Sequence, residues 1–302
     1  MVLEQVFKAK WLEKRPLSAL FLGLMYAVIG IISAKLIFPG STSLMTVAFT
    51  SILLVPSLNR LLSDEENVEI REQKFSIKLL IKDHRDIFEI YFFMFIGVFL
   101  AYALFTLILP QPTILSMFSA QLKVAGFTGK AFSGFINQEI IDILLNNLLV
   151  MIVCLILSIV YGAGSILFLV WNASVWGAVF GYVAHNSFGQ THPLIAFGAV
   201  MAPVLAHMIT EAMSYFSAAI VGGIVSKAVM REDLFSEKFH HILSDAMILL
   251  LLGFVMVAIA AVIEVMLYPY SGAILIGFVM LLALIIGALE PTNVMEKEGT
   301  EN

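Results

Sequence analysis

His207 and Glu211 are the side chains best suited to chemistry in this sequence, because a four-residue spacing places an imidazole and a carboxylate on one helix face, about 6 Å apart and within reach of a shared proton. They lie in the middle of a long apolar segment, Leu194 to Val229. A proton or ion relay is one use for such a pair in hydrocarbon; the plainer use is to brace the packing of a helix. A zinc site is a third reading, with His185 and His192 as further ligands. Catalytic zinc needs three protein ligands and an open position, and the order His then Glu does not reproduce H-E-x-x-H.

Other polar residues stand in apolar surroundings between Asp142 and Ser217. Asn146 and Asn147 sit near the start of one span, where an amide is expected to bond across to another helix. Asn172, between Trp171 and Trp176, precedes Gly177 and Gly181, a small-residue spacing that admits a second backbone; helix packing is the first reading and pore lining the second. Gly162 and Gly164 flank Ala163 in a tight turn. Ser214 and Ser217 follow Glu211 closely enough to bond carbonyls of their own helix, and without a Gly-x-Ser-x-Gly elbow they do not read as a nucleophile. Pro203 removes a backbone donor four residues before His207 and is expected to break the helix there. The 36 residues from Leu194 to Val229 would otherwise make a rod of about 54 Å.

The elements that must position these residues follow from composition. Of 302 residues, 60% are hydrophobic and 13% charged, and the mean hydropathy is +0.97. A soluble domain carries roughly a quarter charged residues, so this composition excludes a cytosolic enzyme, a disulfide scaffold and a disordered tail. The net charge of -5 with no long basic run argues against nucleic acid as a partner. The lone cysteine, Cys154, cannot form an internal disulfide.

A span needs about 20 apolar residues, and such runs occur at Leu17 to Phe38, Leu44 to Leu62, Ile87 to Leu109, Ile140 to Val160, Ile166 to Ala184, Leu194 to Val229, Ala246 to Tyr268 and Ala273 to Leu289. The expected fold is therefore an all-α, polytopic transmembrane helical bundle of about eight spans. Lys and Arg gather in cytoplasmic loops. With both termini cytoplasmic, fourteen of the seventeen basic residues fall inside and Lys35, Lys123 and Lys130 fall outside. The basic residues before Leu17 then fix a retained anchor, not a cleaved leader.

The expected organisation is a membrane hairpin over 1–62, a cytoplasmic amphipathic helix over 63–86, a membrane core over 87–230 with an outer loop at 110–139, a cytoplasmic loop over 231–245, a second hairpin over 246–289 and a disordered tail over 290–302. The outer loop is rich in Ile, Leu and Phe, so short helices lying at the interface or dipping into the bundle are expected there.

From residue 87 to about 230 the chain resembles the integral membrane family named after stage II sporulation protein M. The likeness rests on a span, a long outer loop, Asn146 and Asn147 opening the next span, the Gly162-Ala163-Gly164 turn, Asn172 followed by Gly177 and Gly181, and a segment bearing Pro203, His207 and Glu211. Family members often carry a Pro-His-Gly-x-x-Glu-like pattern in that segment; here Pro203 and His207 are separated by three residues. The resemblance implies a membrane component that recruits peptidoglycan-remodelling enzymes without being the hydrolase. Its transferable part is a multispan scaffold or a channel-like protein.

These observations lead to a non-enzymatic, multi-pass cell-membrane scaffold, with no cofactor, that meets protein partners through its cytoplasmic helix and outer loop. Its small-residue faces are compatible with a homodimer. A transporter using His207 and Glu211 in a midplane cavity is the alternative, and a membrane metalloenzyme the third reading.

Overall fold

In the computed structural model the described residues are 12, 15–69, 84–124, 140–186, 193–202, 204–234, 236–267 and 273. They form helices and no strand, as an apolar backbone without water requires: a helix satisfies each N–H and C=O within its own segment. The elements are α1 (Ser18–Ile37), α2 (Thr42–Glu69), α3 (Arg85–Ile108), α4 (Gln111–Met117), α5 (Ser119–Val124), α6 (Ile140–Tyr161), α7 (Ile166–Asn186), α8 (Pro193–Met201), α9 (Leu205–Arg231) and α10 (Glu237–Leu267).

Among the described residues seven helices are long and apolar enough to span a membrane: α1, α2, α3, α6, α9, α10, and α7 together with the 3-10 turn Ala163–Ser165 before it. The expected eighth span, Ala273 to Leu289, lies outside the described residues save Ala273, as do 70–83 of the polar insertion, 125–139 of the outer loop and the tail over 290–302.

Two expected boundaries shift. Helix α2 passes through Pro56 and Leu62 and continues to Glu69, so residues 63–69 prolong the second helix past its apolar span, which ends at Ser63. The missing Pro56 N–H costs one bond, to the carbonyl four residues back, and the flanking turns carry the helix across. The loop expected over 231–245 is also shorter, because α10 starts at Glu237.

Sequence breakers end the elements where they should. Pro39 and Gly40 follow α1, with the Phe38 N–H closing on the Ala34 carbonyl at 2.9 Å. Leu109 is extended ahead of Pro110 (ψ 151°), as the residue before a proline prefers. Gly162 turns the chain from α6 into α7 with φ +65°, a left-handed value that disfavours any side chain.

Helix α9 is the axis of the bundle, packing on α2, α3, α6 and α10. Of its most apolar stretch 72% of residues are buried, against 28% for α6. Along α6 an exposed apolar stripe, Leu145, Leu149, Ile152, Ile156 and Val160, recurs every three or four positions. Asn147 faces inward, 4% exposed. Apolar outside and polar inside is the sorting expected when the bilayer is the solvent.

Candidate functional site

The long apolar segment is interrupted as its length demands. Helix α8 ends at Met201 and α9 begins at Leu205. Pro203 itself lies outside the described residues. The break restarts the chain so that Glu211 is buried (9% exposed) and His207, one turn earlier, is half-buried.

The partner of Glu211 is not His207. No hydrogen bond joins the two; the Tyr215 hydroxyl instead lies 2.6 Å from Glu211 Oε1 and 3.1 Å from Asn147 Oδ1 on α6. One turn further along the same helix face, a phenol brings a donor directly to the carboxylate. Tyr215 is fully buried, and its single proton lies between two acceptors. Turning the Asn147 amide so that its NH2 donates to the phenol oxygen satisfies all three groups, since amide orientation is assigned from such networks. Glu264 on α10 is near enough to act electrostatically on both Glu211 and Tyr215. The cluster thus joins α6, α9 and α10.

The other sequence candidates separate. Asn146 lies on the exposed face of α6, its amide 3.4 Å from Asn147 Oδ1, so it does not bridge helices as expected. Asn172 donates to the Phe168 carbonyl of its own helix at 2.8 Å. Ser214 bonds within its own helix, to the Glu211 carbonyl at 2.6 Å, but Ser217 crosses to the Leu249 carbonyl of α10 at 2.6 Å. His185 reaches the Leu107 carbonyl at 3.2 Å, while His192 is outside the described residues. Among the described residues no three His, Cys, Asp or Glu side chains converge as metal ligands.

The glycines do separate work. A Cβ on Gly177 would strike the Phe99 carbonyl and one on Gly181 would strike Thr106, both on α3, so these two set a close α3–α7 approach. Gly23 and Gly97 do the same reciprocally for α1 and α3, against Met94 and Leu20. Gly164 meets Leu157 and Tyr161 at the end of α6; it serves the turn, not a second helix. The Ala163 N–H there donates to Asn59 Oδ1 at 3.3 Å, tying the turn to α2.

Sequence reading missed a second polar knot. Gln121 on α5 is fully buried; its Oε1 accepts from Ser43 Oγ at 2.6 Å and its Nε2 donates to the Ser43 carbonyl at 3.0 Å, with Ser174 Oγ at 3.4 Å. The Ala120 N–H donates to Ser43 Oγ at 2.8 Å. Ser174 stands twelve residues before the end of α7, about 18 Å along the axis, so α5 dips into the bundle instead of lying over its rim. Phe118, fully buried, follows it down onto Tyr102 of α3, centroids 5.6 Å apart. The signal was a glutamine amid Phe118, Leu122 and Val124. Glu264 was missed too, although it is a charged residue inside an apolar run.

The comparisons with known proteins bear on the whole chain. No curated protein and no solved structure matches it. The family model of stage II sporulation protein M matches residues 90–269. That match reaches 39 residues beyond the expected core end at 230 and takes in α10, so the helix bearing Glu264 belongs to the same unit. With more than half of its 302 residues matched, this multi-pass membrane protein belongs to the stage II sporulation protein M family.

Proposed function

We propose that the protein is a non-enzymatic membrane scaffold that holds partner proteins at the bilayer, with both termini in the cytoplasm. The observation that carries this reading is the closure of Tyr215 on both Glu211 and Asn147. A relay needs groups free to exchange partners; these polar side chains are bonded to one another between helices, a use that fixes one bundle geometry. Ser217 and Gln121 support the reading in the same way. The basic residues fall as the positive-inside rule asks, which supports the orientation.

A transporter is the second reading, favoured by one observation: Glu211 is buried without a basic partner among the described residues, and a carboxylate in hydrocarbon with no counter-charge takes up a proton or a cation. Glu211→Gln separates the two. It keeps an acceptor for Tyr215, so a scaffold variant purifies, folds and retains co-purifying partners as wild type does. Loss of pH-dependent flux in reconstituted vesicles, with fold and partners intact, would overturn the scaffold reading.

A further inference from the structure

A lateral cavity of about 720 Å3 lies between α3, α9 and α10. Its size is that of small-molecule sites, roughly 300–1,000 Å3. None of the residues of the Glu211 cluster lines it. The walls are apolar, with Phe88, Phe92, Met213, Leu252, Val255 and Met256 among them, and the polar lining is His84, Arg85, Glu89 and Ser217. Ser217 is already bonded to the Leu249 carbonyl. Three polar side chains therefore gather at one end, where α3 begins, and a hydrocarbon wall runs away from them.

Arg85 decides what chemistry suits that end. Its Nε donates to Glu89 Oε1 at 2.6 Å, which leaves both terminal nitrogens without a partner among the described residues, and its side chain is 71% exposed. A guanidinium held by its Nε presents the rest of its fork to a phosphate. As the first residue of a spanning helix, Arg85 stands at headgroup level on whichever side α3 begins.

The length of the groove separates the occupants. Along α3 the lining runs from His84 to Phe93, about 14 Å, or half the roughly 30 Å of hydrocarbon. A transmembrane helix from a second copy would need a groove of full depth. One acyl chain does not, and an amphiphile matches a lining that is charged at one end and apolar along the rest.

We infer that this groove is a phospholipid site, with the lipid phosphate on Arg85 and one acyl chain between α3, α9 and α10. Native mass spectrometry of the full chain in maltoside micelles, titrated with dioleoylphosphatidylglycerol, tests it. The expected result is one adduct per chain that survives detergent washing. Val255→Trp, which fills the groove, weakens that adduct at least about tenfold and Arg85→Gln about fivefold, while Leu251→Trp, on the exposed face of α10 outside the groove, leaves it unchanged. Met256→Trp repeats the blocking test should Val255→Trp fail to fold. Equal adducts in wild type and in the folded blocking and Arg85 variants would overturn the inference. So would a disulfide formed on mild oxidation, in a Cys154→Ser background, between Leu252→Cys and a second cysteine placed in the apolar run 273–289 as Phe278→Cys, or between Leu252→Cys of two copies.

Discussion

Two halves of the bundle differ in what holds them together. Where α1, α3 and α7 meet, Gly23, Gly97, Gly177 and Gly181 bring backbones into contact, and the adhesion is dispersion over a long seam. Where α6, α9 and α10 meet, Asn147, Glu211, Tyr215 and Ser217 hold the helices through hydrogen bonds. The first seam tolerates no added volume. The second has a tight point of its own, where Gly222 of α9 meets the Leu155 carbonyl of α6, but it depends in addition on its hydrogen-bond partners, because hydrocarbon offers no water to replace one that is lost. The difference follows from the surface each helix leaves to lipid: α6 buries the smallest share of its residues among the spans and is tied to α9 by its polar tether.

That contrast predicts a ranking. Gly177→Leu should cost the most, at least about 3 kcal/mol, because the added side chain meets the Phe99 backbone and Tyr102 Cβ, neither of which can swing aside; loss of monodisperse protein on detergent gel filtration checks it. Tyr215→Phe should cost about 2 kcal/mol by leaving Glu211 without its donor and Asn147 without its partner across the helices, read as a lower midpoint in unfolding by dodecyl sulfate. If the two variants cost the same, the contrast between the seams fails. Gln121→Ala, which takes away the acceptor of the Ser43 hydroxyl proton, should cost about 1–2 kcal/mol and speed proteolysis within 111–124 while sparing the spans. Gly198→Ala should move stability in the other direction, raising it by about 0.5–1 kcal/mol in a thermal melt, because the new methyl meets nothing within 4 Å.

The spans were readable because each is a long apolar run, and the break before α9 because no single helix of that length fits a bilayer. The glycine seam was readable at Gly177 and Gly181, where small residues recur one turn apart. Pairing was not. Periodicity places His207 and Glu211 on one face, but it places Tyr215 there as well, and the choice between them is made by α6, which brings Asn147 to the phenol. Composition shows that Asn146 and Asn147 are polar; only the rotation of α6 about its axis decides that one faces the core and its neighbour does not. Gln121 was hidden for a related reason, since its partners lie 78 residues before it and 53 after it, and no local pattern signals such distant contacts.

Those separations also constrain how the protein is made. The ribosome delivers Ser43 long before Gln121, but Ser174 emerges after it, so α5 must wait beside the insertion machinery with part of its knot open until α7 arrives. The seating of this small helix is therefore completed only after α7 has been synthesised, since Ser174 supplies its last hydrogen-bond contact.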